Sequence, residues 1–201
     1  MKSIKQWFLA LTAFALLAFT SAAQAQSSPD GVVNAIKQSV LSAASNSPKG
    51  LSPGQINSLV RNNIAPYVDF GAAASVACGQ YWYQATDSQK SRITAEFKEL
   101  LIRSYSKALG KVNSRTTMDV YPATYNANNT ATVPARINNN GTSTPLFFGL
   151  TANSGSWKIF DANFANIWLI SSSFKTQFTG IIRKSGIDGL IANLARKNGH
   201  R

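Results

Sequence analysis

The chain has 201 residues and a formal net charge of +12 at pH 7, with one cysteine and one histidine. A lone Cys78 cannot close an internal disulfide, so packing must hold the fold, and its Val76-Ala77-Cys78 setting reads as a small buried apolar residue. A lone His200, read as frayed and solvated beside the C-terminus, leaves Ser-His-Asp, Cys-His and histidine-metal sites without their central member, so no cofactor or metal is expected.

Lys2 and Lys5 precede an apolar run from Trp7 to Phe19 and the small-residue stretch Ser21-Ala22-Ala23-Gln24-Ala25. This is the order of a secretory leader cleaved after Ala25, and the apolar run is shorter than the roughly 20 residues of a spanning helix. Export to the periplasm follows, with residues 26–201 as a single domain of ordinary size. The basic remainder favours anionic lipid headgroups or acidic partner surfaces over nucleic acid, which an exported protein rarely meets.

The next stretch reads helical. Pro29-Asp30 opens a segment with Val32, Val33, Ile36 and Val40 at helical spacing. Ser52-Pro53-Gly54-Gln55 has the form of a capping box with proline at the first helical position. A short helix covers Phe70 to Cys78 and stops at Gly79. Thr86-Asp87-Ser88-Gln89 caps a longer one, in which Ile93, Phe97, Leu100, Leu101, Tyr105 and Ala108 form one broad apolar face that ends at Gly110. Glu96 and Glu99 fall outside that face, beside Lys98 and Arg103, and read as a solvated surface.

Beyond Val112 the pattern changes to alternation. Four strands are predicted, Thr116–Tyr125, Thr130–Ile137, Pro145–Thr151 and Ser156–Phe164, joined by turns at Asn126–Asn129, Asn139-Asn140-Gly141 and Asn153–Gly155. Ala131, Val133, Ala135 and Ile137 share one face. Asp161, embedded in Trp157-Lys158-Ile159-Phe160-Asp161, reads as a hydrogen-bonded structural carboxyl. Helical spacing returns with Phe174, Phe178, Ile181 and Ile182, breaks at Gly186, and resumes through Ile187, Leu190, Ile191 and Leu194. Helices, sheet and helices in separate blocks specify an α+β fold, helices packed on one face of a curved antiparallel sheet.

Several motifs resemble those of the MlaC family of periplasmic phospholipid-binding proteins, also known as toluene-tolerance auxiliary proteins. They are Gly79-Gln80-Tyr81-Trp82, the Thr86–Gln89 cap, Phe97-Lys98-Glu99-Leu100-Leu101-Ile102-Arg103-Ser104-Tyr105, Trp157–Asp161, Gln177-Phe178 and Gly186-Ile187-Asp188-Gly189-Leu190. Order and spacing hold from about Val32 to Lys197. After Asp161 the family carries an acidic-Gly-Ile/Val-Ser turn, whereas this chain has Ala165-Asn166-Ile167-Trp168, with bulky Trp168 at the expected pocket mouth.

The resemblance implies a nuclear-transport-factor-2-like cone around an apolar cavity that holds phospholipid acyl chains. It also implies traffic of lipid between an inner-membrane MCE-protein–ABC transporter complex and an outer-membrane lipoprotein–porin complex, which maintains outer-membrane lipid asymmetry. A related branch, the HpnM-like proteins, is associated with hopanoids. The same cone also hosts isomerases and dehydratases, which here would need Asp161 or a tyrosine as base. The residues expected to line a lipid cavity are Val76, Phe97, Leu101 and Tyr105 from helices, with Val120, Val133, Phe147, Trp157 and Phe164 from strands and Trp168 at the mouth.

Overall fold

The computed structural model describes residues 28–47, 50–152 and 155–200. The expected leader, the side chain of Ala108 and most of the Asn153–Gly155 turn lie outside the described residues.

Helix α1 (Pro29–Ser45) starts where the Ser28 hydroxyl accepts from the Gly31 amide. Helix α2 (Pro53–Leu59) carries the full capping box, Ser52 with Gln55, and runs on into a π-helical turn over Val60–Ile64. Helix α3 (Phe70–Cys78) is capped by the Asp69 carboxyl on the Ala72 amide and stops at Gly79, whose φ is 55°. Helix α4 (Asp87–Leu109) opens on the reciprocal Thr86–Gln89 cap.

The sheet is open and antiparallel, with six strands where four are expected: β1 (Thr117–Val120), β2 (Thr124–Asn126), β3 (Thr130–Asn139), β4 (Thr142–Thr151), β5 (Lys158–Phe164) and β6 (Ile167–Trp168). Their order is β1-β3-β4-β5-β6, with β2 beside β1 on the same flank of β3. The predicted strand Thr116–Tyr125 divides at Tyr121-Pro122-Ala123 because β3 lacks a donor there. The Pro134 carbonyl accepts from the Tyr121 amide, so its nitrogen, which carries no hydrogen, faces the gap. The sixth strand follows a two-residue turn in which Ala165 and Asn166 both take positive φ, 50° and 64°; no glycine announces that turn.

The last helix, α5 (Lys175–Asn198), follows a π-helical turn over Leu169–Phe174 and breaks at Gly186, with φ 69° and ψ −177°. The Gly-Ile-Asp-Gly-Leu motif thus has two separate reasons for its glycines. Gly186 takes a backbone conformation open essentially to glycine alone, and a Cβ on Gly189 would collide with the Ser185 side chain.

Three cores pack these elements. Ala73, Ala74 and Ala77 of α3 let it approach Phe97 of α4 and Phe178 and Leu190 of α5 closely, with Phe97, Phe174 and Phe178 meeting edge to face. Val32 and Val33 of α1 press on Val133, Leu150 and Ile159, which defines the inner face of the sheet. Ile56 and Val60 pack on Ile102 of α4.

The two exposed glycines of α5 are expected to respond oppositely to alanine. Gly180→Ala, at an ordinary helical position with open space around it, should stabilise by about 0.4–1 kcal/mol. Gly186→Ala should destabilise by about 1–3 kcal/mol. Urea midpoints of the two variants check the contrast.

Candidate functional site

The three cores do not meet. Between them lies a cavity of about 250 Å³ whose wall is almost wholly apolar. Ile36 comes from α1, Val60 and Ile64 from the π-helical turn after α2, and Phe70 and Ala73 from α3. Leu101, Ile102 and Tyr105 come from α4, Phe148 from β4, Ile159 to Ala162 from β5, and Leu169 and Ile170 from the segment after β6. Val60 and Ile64, four apart, reach the wall together.

Two polar side chains reach this wall. Asp161 is 3% exposed, and its carboxyl accepts from the amides of Ala162, Ile170 and Ser171 at 2.8, 2.8 and 2.9 Å. Three donors satisfy a carboxyl that would be costly to bury alone, and two of them fix the segment that carries Leu169 and Ile170. Burial pushes the Tyr105 phenol up to about 12, with the charge of Asp161 adding to the effect, so the tyrosine is neutral throughout the physiological range. Burial alone also pushes the Cys78 thiol up to about 12.

Of the ten side chains expected at a lipid site, Leu101 and Tyr105 line the cavity. Phe97 is fully buried in the helical core, and Val76 packs against that core from its edge. Val133 and Val120 lie under α1, and Trp157 packs beside them, edge to face with Tyr125. Phe147 points to the outer face, since it pairs with Pro134 and Asn163, while its neighbour Phe148 faces inward with Val133 and Ala162. Phe164 is 51% exposed, and Trp168 is half-buried, opposite Asn163. A one-residue change of register decides between Phe147 and Phe148, and nothing in the alternating sequence fixes it. Val68, in the extended link before α3, also lines the wall; Val60 and Ile64 carry ordinary helical spacing, which marks an inward face and does not tell open chamber from packed core.

A second, polar cleft lies behind Ile102, lined by Asn57, Arg61, Glu99, Arg103, Asn198 and His200. Arg61 and Glu99 pair at 2.6 Å on the surface. The Asn198 amide donates to Glu96 at 2.7 Å, and the His200 ring stands 3.1 Å from the same carboxyl. His200 is therefore exposed but held, not frayed, because Gly199 in the left-handed region turns the chain back and the His200 amide reaches the Ala195 carbonyl. Among the described residues no group of three or more His, Cys, Asp or Glu is placed to hold a metal ion.

Two outcomes are expected at these groups. Asn198 first, then His200, hold the Glu96 carboxyl below the usual carboxylate range, and Arg61 does the same for Glu99. A lowered folded-state value adds stability that is present above the unfolded value near 4.5 and is lost as pH falls through the folded value. Urea midpoints measured on descent from neutral pH should therefore fall below that point, with Glu96→Gln flattening part of the fall. At Asp161, replacement by alanine leaves the buried Ile170 amide without its acceptor, a loss of about 1–3 kcal/mol, against a smaller one for Asp161→Asn, and thermal melts check the ranking.

The pattern that defines the MlaC protein family matches residues 34–196. The chain is similar to the intermembrane phospholipid transport system binding protein MlaC of Haemophilus influenzae, with 28% identity over 199 residues that cover 95% of this chain and 92% of that protein. It is also similar, at 31% identity and a TM-score of 0.74, to the phospholipid-binding protein of Ralstonia solanacearum solved in complex with a phospholipid, over 86% of this chain and 97% of that one. Sequence pattern, helix-and-sheet fold and overall length agree, and this chain belongs to the MlaC family.

Proposed function

We propose that this protein is an exported phospholipid carrier of the periplasm. In this reading residues 1–25 direct export, residues 26–201 form one lipid-binding domain, and the cavity takes an acyl chain. The carrier receives and delivers lipid between an inner-membrane MCE-protein–ABC transporter complex and an outer-membrane lipoprotein–porin complex, which maintains outer-membrane lipid asymmetry. The chemistry is binding and release, with no bond made or broken.

The observation that carries this reading is the wall: an aliphatic and aromatic chamber of about 250 Å³ in a chain whose relatives are named for phospholipid binding and transport. The polar groups at the wall are quieted. Asp161 is occupied by three amides, and the Tyr105 phenol is neutral. Each methylene buried against such a wall supplies about 0.8 kcal/mol toward holding a chain. That term is not screened by salt, so the basic surface serves encounter with anionic membranes or acidic partners and not the grip on the tail. No described helix is long and apolar enough to cross a membrane.

Native mass spectrometry of protein purified without detergent tests the reading, which expects a phospholipid-sized mass travelling with the chain. Leu101→Glu, a charge placed in the chamber wall, should abolish most of that mass, whereas Tyr83→Glu, at an 85% exposed site, should leave it. Folded wild-type protein that carries no lipid and takes none from phospholipid vesicles would sink the proposal.

A further inference from the structure

Ile102 of α4 has two different surroundings. It is 3% exposed, and among the described residues it alone lines both the apolar cavity and the polar cleft behind it. The wall of the cavity is therefore one side chain thick at this point. Leu101 and Ile102 form the α4 side of the seam, and Val60 and Ile64 of the π-helical turn form the other.

This seam is lightly sealed. Along Pro53–Leu59 only Ile56 and Leu59 are buried, and the core that joins this segment to α4 holds three buried side chains, Ile56, Val60 and Ile102. Segments held by few buried apolar contacts open at low cost. Outside, one device spans the seam. The Arg61 guanidinium donates to the two oxygens of Glu99 at 3.0 and 2.6 Å, across 38 residues of sequence. Its Nε donates to Asn57 Oδ1, one turn earlier, at 3.1 Å, which aims the planar fork at the carboxylate. Among the described residues no other ion pair joins α2 or its turn to α4.

An exposed pair of this kind adds little to the stability of a whole protein. Its position directs what it does add to one local equilibrium, because the pair breaks when the seam opens. We infer that Arg61 and Glu99 form a latch on the seam between α2 and α4, and that the opening of this latch sets how fast the cavity loads and releases its cargo. The inference rests on the lipid-carrier reading and adds to it a control of rate that is separate from affinity. A latch that closes over the filled and the empty cavity alike slows uptake and release by one factor, so the dissociation constant stays where the cavity wall sets it. Both latch residues line the cleft and neither lines the cavity, so they act without touching the cargo.

The test loads the full-length exported protein with a pyrene-labelled phosphatidylcholine and follows its release into excess neutral cyclodextrin, where charge steering between partners plays no part. Arg61→Gln and Glu99→Gln should each speed release about two- to fivefold. The double variant should release no faster than either single one, as two residues acting through one bond require. Uptake should accelerate by the same factor and leave the dissociation constant unchanged. Molar sodium chloride should speed release from the wild type and not from the double variant. Lys90→Gln, which breaks the exposed pair with Asp87 in the first turn of α4, should release at the wild-type rate. Unchanged release in the single variants, additive effects in the double one, weaker binding with unaltered uptake, a wild type indifferent to salt, or equal acceleration by Lys90→Gln would overturn the latch. Wild-type protein that takes up no labelled phospholipid defeats the carrier reading itself, a different result from any of these.

Discussion

The carboxyl of Asp161 holds the two layers of the molecule in one geometry. It sits on β5 next to the point where register shifts between Gly149 and Leu150, and it reaches across to the amides of Ile170 and Ser171. Those amides open the turn that leads into α5, the helix that completes the helical core. One side chain therefore couples the sheet to the helices while supplying part of the cavity wall. A buried carboxyl is retained only where donors surround it, and here all its donors are backbone amides, whose positions follow from the fold. The dependence runs in both directions: the turn needs the carboxyl, and the carboxyl needs the turn.

The cavity is a consequence of how the cores divide. Alanines on α3 allow tight packing among the helices, valines on α1 seal the sheet, and α2 packs separately on α4. Each contact is satisfied locally, and the space left between them is lined by residues from every layer. Apolar voids of this kind stay open to apolar guests because water finds too few partners there. Binding capacity thus comes from the arrangement of three good interfaces, with no dedicated binding motif in the chain.

This explains which parts were legible in the sequence. Caps and stops are local chemistry, so the Ser52–Gln55 and Thr86–Gln89 boxes, the end of α3 at Gly79 and the break at Gly186 all lie where the residues indicate. Asp161 was readable as a structural carboxyl because an acid among aromatics needs donors. The cavity wall was not readable in the same way. Leu101 and Tyr105 belong to an amphipathic helix whose buried face is evident, but that face is shared between packed core, at Phe97, and open chamber. Periodicity reports that a side chain is inward and cannot say whether another side chain meets it. Among strands the ambiguity is sharper, since Phe147 and Phe148 differ in every respect that matters while being identical in type. The extra strands were hidden for another reason: β6 has two residues, and its turn uses Ala165 and Asn166 where the eye looks for glycine.

That turn sets the mechanical character of one corner of the sheet. An alanine held in the left-handed region is disfavoured by about 1–2 kcal/mol, and the strand it introduces contributes two paired residues to offset that. Local sequence therefore works against the β5–β6 corner, and Asp161, through its grip on Ile170 and Ser171, restrains the chain just beyond it. This joint has little intrinsic preference for its own shape, and it should exchange its amide hydrogens early. The sheet thus has one compliant corner, formed by the hairpin that carries Phe164 and Ile167.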